Sequence, residues 1–255
     1  MDYLIKKEKK FRYIEQGEGH PIILLHGLFG ALSNWKDVVE KFSSRYKMII
    51  PLMPIYDLPV LLTNVRSLAN FVHQFIKFKG YTSYSIIGNS LGGHVALMYV
   101  LKNPAYVKTL ILTGSSGLYE NSSMGGTYPK RGDYNFIKEK VEYTFYDPAS
   151  ANKELVDEVF EIVNNRIRLI KILALAKSAI RHNMAKDLPK IPVPTCLIWG
   201  REDKITPPEV AEEFHRLIRH SDLLWVDKCG HAPMMERPAE FNALLEPWLD
   251  SKIGH

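Results

Sequence analysis

Ser85-Ile86-Ile87-Gly88-Asn89-Ser90-Leu91-Gly92-Gly93 lies near the middle of the chain. It reads as an apolar strand that runs into Gly-Xaa-Ser-Xaa-Gly and then into an apolar helix over residues 92–101. A strand, a glycine-flanked serine and a helix in that order make a sharp turn. Such a turn lifts the serine hydroxyl clear of a sheet edge, where a substrate carbonyl can reach it. Gly88 and Gly92 stand two positions either side of Ser90, where any side chain would crowd the turn. A serine at a helix start can also serve only as an N-cap. The flanking glycines and the elements downstream favour a nucleophile at Ser90.

Working outward, the partners of such a serine follow in the order acid, then histidine. Pro194-Thr195-Cys196-Leu197-Ile198-Trp199-Gly200 reads as a short buried strand ending in Arg201-Glu202-Asp203. Asp203 is the candidate acid; Glu202, Asp227 and Asp57 are its rivals by position. Leu223-Leu224-Trp225-Val226 reads as another strand, and the loop after it carries Gly230-His231-Ala232-Pro233. His231 is placed to take the proton from Ser90 while the acid holds its imidazole in one tautomer. Upstream, the strand at residues 21–25 leads into His26-Gly27-Leu28-Phe29-Gly30. Backbone N–H groups of Leu28 and Leu91 are the candidate oxyanion hole. His26 is expected to brace that loop, and Trp199 and Trp225 to sit in strand core.

These motifs resemble the α/β-hydrolases, in particular compact lidded carboxylesterases and the hydrolases that cleave carbon–carbon bonds in meta-cleavage products. His26-Gly27, Gly88-Asn89-Ser90-Leu91-Gly92-Gly93, Gly200-Arg201-Glu202-Asp203 and Gly230-His231 carry the match. Met235-Glu236-Arg237-Pro238-Ala239-Glu240-Phe241-Asn242 resembles the entry to the family's last helix. The resemblance implies an α/β fold: a mostly parallel eight-stranded sheet, helices on both faces, and a helical lid after the sixth strand. Residues 1–117 and 191–255 would form the core and residues 118–190 the lid. In the C–C hydrolases an asparagine at the Asn89 position helps hold the polar end of the substrate, and a lid arginine resembling Arg166 pairs with its carboxylate. That group commonly has tryptophan directly after the histidine, where this chain has Ala232.

The expected function is hydrolysis of a small carboxylic ester through an acyl-enzyme, with no cofactor and no metal. Two other readings stand beside it. One is C–C cleavage of a dienoic keto acid by the same residues. The other is a slow-turnover ligand receptor or signalling protein, because fold does not fix function. Haloalkane dehalogenase and epoxide hydrolase chemistry need an aspartate where Ser90 stands.

Composition sets the remaining bounds. With 255 residues and 46% hydrophobic side chains, the chain can bury one sizeable core. Its net charge of +5 is spread, with one dense run at Lys6-Lys7-Glu8-Lys9-Lys10, so no nucleic-acid partner is expected. That run reads as a solvated strand edge. Cys196 and Cys229 form neither a disulfide framework nor a zinc spacing. No apolar stretch reaches the ~18 residues of a membrane span, and no signal peptide is visible. A small-molecule substrate, a cytoplasmic location and a monomer or homodimer are the expectations.

Along the chain, strands are expected at residues 47–52, 84–87 and 108–112, after a hairpin at 4–15. Helices are expected at 34–42, capped by Ser33 or Asn34, and at 63–79, ended by Gly80. Beyond residue 117 the alternation stops. Helical segments are expected near 134–145 and 152–176, with a shorter one to 187, before Pro189, Pro192 and Pro194 lead back to a strand.

Overall fold

A computed structural model describes residues 4–30, 35–120 and 131–254. The strands are β1 (Lys6–Glu8), β2 (Phe11–Gln16), β3 (Pro21–Leu25), β4 (Lys47–Pro51), β5 (Tyr84–Asn89), β6 (Val107–Thr113), β7 (Thr195–Gly200) and β8 (Ser221–Val226). The helices are α1 (Lys36–Phe42), α2 (Val65–Lys79), α3 (Leu91–Lys102), α4 (Tyr134–Glu142), α5 (Lys153–Asn164), α6 (Arg166–Arg181), α7 (Pro208–Leu217), α8 (Pro233–Glu236) and α9 (Pro238–Ile253). Ser33 and Asn34, the expected caps of α1, lie outside the described residues.

One eight-stranded sheet runs in the order β1-β2-β4-β3-β5-β6-β7-β8. β1 and β2 pair antiparallel, as do β2 and β4, and every later pair is parallel. The lysine-rich β1 forms one edge, with Lys7 and Glu8 exposed.

Burial on both faces explains the nearly continuous apolar runs of the central strands. Alternate residues point to opposite sides. Ile23, Leu25, Ile86, Leu112 and Trp199 pack toward α2, α3 and α7 through Leu68, Phe75, Val95 and Phe214. Ile22, Leu24, Ile87, Ile111 and Ile198 face α1 and α9 through Val38, Phe42, Phe241 and Leu245. Cys196 is buried in the second of these layers, and burial pushes its thiol pKa well up.

α2 is stopped at both ends by local chemistry. Asn64 Oδ1 accepts from Ser67 N at 2.9 Å, and Gly80 closes the last turn at φ 69°. Between β6 and β7 the described residues form α4, α5, α6 and short 3-10 turns. Here the helix bounds differ from the sequence expectation. The break falls at Asn165, not near 176, because Asn165 Oδ1 accepts from both Ile167 N and Arg168 N at 3.1 Å. That cap starts α6 at Arg166. Among the described residues no helix is long and apolar enough to cross a membrane.

Candidate active site

The sheet reverses its direction of growth at β3: β4 lies on one side and β5 on the other. In open α/β sheets the crevice at such a point, beyond the strand C-termini, is where ligands bind. The His26-Gly27-Leu28 loop leaves β3 there, and Ser90 leaves β5 beside it.

Ser90 sits at φ 53°, ψ −121°, in the left-handed half of backbone space that a non-glycine residue rarely enters. The surrounding contacts impose this. Ser90 N donates to Thr113 O at 3.2 Å, and its carbonyl accepts from Ser116 N at 3.1 Å and Gly93 N at 3.0 Å. The glycines are needed for close approach. A Cβ at Gly92 would lie 2.1 Å from Leu25 O, and one at Gly88 would lie 2.6 Å from Gly92 O. Ser90 itself is half-buried, so solvent reaches it.

Asp203 follows β7 and His231 follows β8, and the structure brings them together. His231 Nδ1 donates to Asp203 Oδ2 at 2.9 Å, with both side chains buried. Asp203 is fixed further by Ile205 N (2.8 Å) and Thr206 N (3.0 Å) on Oδ1, and by Thr206 Oγ1 (2.8 Å) on Oδ2. Its three rivals are placed elsewhere. Asp227 is exposed and paired with Arg201 at 2.6 Å. Glu202 accepts from Cys229 N at 2.9 Å. Asp57 is exposed and lines a cavity beside Tyr56. Burial pushes the His231 pKa down, but the Asp203 charge and hydrogen bond, with Glu120 adding to them, raise it above its ordinary value.

Asn89 joins the elbow to the histidine loop. Its amide donates to Thr113 O at 3.0 Å and to His231 O at 3.2 Å. Both of these bonds run from Nδ2 to backbone carbonyls, and the residue is buried.

Of the two candidate oxyanion donors, Leu28 lies in the loop after β3 and Leu91 at the start of α3. Leu91 is the first residue of α3, so its N–H has no acceptor within that helix. A Cβ on Gly27, next to Leu28, would come within 3.4 Å of Ser90 Cβ. His26 holds this loop: its Nδ1 donates to Gly27 O at 2.9 Å and its Nε2 accepts from Met53 N at 3.3 Å.

Leu28 also lines a cavity of about 300 Å³ with His26, Phe29, Met53, Tyr56 and Arg168. Arg166 is not among its lining residues and is exposed at the start of α6. Arg168, two residues on, is the lining arginine, with its guanidinium 5.4 Å from the Tyr56 ring centroid.

Sequence reasoning missed three supports of the site. Thr206 holds the Asp203 carboxylate. Glu236 accepts from Gly230 N at 2.6 Å and from Asp147 N at 2.7 Å. Thr144 O accepts from His231 N at 2.9 Å. Thr206 stands three residues after Asp203 and Glu236 six after Gly230, so both bonds are local in the chain, whereas the contacts of Glu236 with Asp147 and of Thr144 with His231 cross the fold.

A sheet of this order, with a strained serine after β5 and an Asp–His pair after β7 and β8, defines a hydrolase of the α/β-hydrolase class. The model of the alpha/beta hydrolase family matches residues 22–244, and the chain belongs to that family. The 2-hydroxy-6-oxo-6-(2'-aminophenyl)hexa-2,4-dienoic acid hydrolase of Metapseudomonas resinovorans is 30% identical over 260 residues, 92% of this chain and 86% of that protein. Lipase 3 of a Moraxella species is 28% identical over 233 residues, 86% of this chain and 73% of that one. Among solved structures, MGS-MChE2, an alpha/beta hydrolase enzyme from a lagoon-sediment metagenome, is 47% identical with a TM-score of 0.81, covering 97% of this chain and 98% of its own.

Proposed function

We propose that this protein is a serine esterase that hydrolyses a small carboxylic ester through an acyl-enzyme. The observation that carries the reading is the Asp203–His231 pair, tied through Asn89 to the elbow that holds Ser90 in a strained conformation. Ser90 Oγ attacks the carbonyl and His231 Nε2 takes its proton. Asp203 holds Nδ1–H and stabilises the imidazolium. The N–H groups of Leu28 and Leu91 stabilise the tetrahedral oxyanion, each worth about 3–4 kcal/mol of barrier. His231 then returns the proton to the leaving alcohol, and a water repeats the sequence on the acyl-enzyme. Residues 118–190, of which 121–130 lie outside the described residues, act as a lid over this site, and the substrate enters beside Leu28.

Three observations favour ester over C–C cleavage. The Asn89 amide serves the backbone, Arg166 is exposed, and Ala232 follows the histidine. The C–C reading keeps one observation of its own, the cation of Arg168 in the cavity wall beside Leu28.

A fluorophosphonate should label the native chain at Ser90 and leave Ser90→Ala unlabelled. An ester chain-length series and a dienoic keto acid, run side by side, distinguish the two chemistries. Ser90→Ala should lower kcat by roughly 10⁴ to 10⁶ on whichever substrate turns over. Labelling that persists in Ser90→Ala removes the assignment.

A further inference from the structure

α6 carries Arg166, Arg168, Lys171, Lys177 and Arg181, and no carboxylate. Only Lys171 is buried, its Nζ donating to Tyr56 O at 2.6 Å. The inner stripe of the helix is Lys171, Ile172, Leu175 and Ala179. Its outer stripe is unusual for a helix facing water. Ile167 is 63% exposed and Ile180 59%, with Ile170 also exposed and cations between them.

The neighbouring segment extends this surface. Residues 56–65 run along α6, tied at one end by Lys171 to Tyr56 and at the other by Val65 N to Ser178 Oγ at 3.1 Å. Between these ties, the 3-10 turn Val60–Leu62 presents three aliphatic side chains in succession, Leu61 at 95% exposed and Leu62 at 54%. Arg66 is exposed just beyond. Asp57 and Glu158 line the cavity beside Arg168, and Glu161 is exposed near the end of α5. Arg66, Arg166, Lys177 and Arg181 form no ion pair with a described carboxylate.

We infer that the outer face of α6 and the turn Val60–Leu62 form a docking surface for an anionic lipid bilayer. Aliphatic side chains standing proud among cations match the acyl region and the headgroups of such a surface respectively. A second copy of the chain is a poor occupant. A two-fold interface would set Lys177 and Arg181 against the same cations of the partner, with no carboxylate on α6 to offset them.

The test uses the full chain sedimented with vesicles of phosphatidylcholine alone, or with about 30% phosphatidylglycerol added. Binding should be at least about tenfold tighter to the anionic vesicles and should weaken at about 0.5 M salt. Lys177→Glu with Arg181→Glu should erase the anionic preference, and Leu61→Ser with Ile180→Ser should lower binding to both vesicles. Circular dichroism confirms that each variant is folded. The inference is overturned by equal binding to the two vesicle types, by no binding to either, or by variants that bind like the parent. It is also overturned by a dimer in sedimentation equilibrium that Leu61→Ser dissolves, which would make a second copy the occupant.

Discussion

Asp203 accepts four hydrogen bonds, from Ile205 N, Thr206 N, Thr206 Oγ1 and His231 Nδ1. A carboxylate so held cannot rotate away from the imidazole, and this fixes which histidine nitrogen carries the proton. Asp203→Asn should preserve the fold and lower kcat by roughly 10⁴, because an amide in this position favours the wrong tautomer. Asp227→Asn should change the rate little, since that side chain is spent on exposed Arg201. Steady-state kinetics on the best ester checks both, and reversed results would move the acid to Asp227. The protonation of His231 yields a second expectation. Its pKa is raised against burial by Asp203, and in the proposed role of general base it would have to be neutral. The acid limb of kcat/KM should therefore have a midpoint above the ordinary histidine value of about 6.5. A limb below that value would show that Asp203 does not dominate.

Among the elements, α6 is the one whose position rests most visibly on a single residue. Asn165 satisfies two N–H groups of its first turn. Asn165→Ala should cost about 1 kcal/mol, lowering Tm by about 2–4 °C in a protein of this size. Thermal unfolding followed by circular dichroism measures this, and an unchanged Tm would mean that α6 is held by its inner stripe alone. The helical segment between β6 and β7 is also tied to the histidine loop, through Thr144 O on His231 N and Glu236 on Asp147 N and Gly230 N. Residues 144–147 therefore cannot lift without disturbing His231.

For the whole molecule, acid should be the more damaging direction of pH. His20, His26 and His94 all have pKa values lowered by burial, and His94 falls to about 3. Protonating His94 would add a charge to a ring whose Nδ1 already lacks a partner. The unfolded chain binds these protons near pH 6.5 and the folded chain does not, so stability falls as pH drops below that value. His231 runs the other way, its contribution present below about pH 6.5 and lost as pH rises through its raised folded pKa. Among the histidines this is three against one, and Glu15, whose pKa its lysine partners lower against burial to about 2, adds to the same side while Glu158, raised by burial, opposes it, so Tm should decline from pH 7 to pH 4. A flat Tm across that window would contradict the burial of these rings.

The alternation of strands and helices, the turn at Ser90 and the placement of Asp203 and His231 after successive strands were all legible in the chain. Each is written in local terms: apolar period, glycines where a Cβ collides with backbone, a polar residue at a strand end. That Asp203, and not one of its rivals, meets His231 needed the tertiary structure. The split at Asn165 needed the geometry of its cap. The contacts of Asn89 and the surroundings of Arg166 and Arg168 were beyond reach for one reason: a polar side chain is directed by whatever lies across from it. For Asn89 that is the carbonyls of Thr113 and His231, the latter 142 residues away. The sequence by itself determined the sheet, its strand ends and the residue types gathered there, because backbone sterics and hydrophobic period act over a few neighbours. Tertiary structure alone decided which side chains brace the site, which line its cavity and which face solvent, because those partners are set by packing between segments remote in the chain.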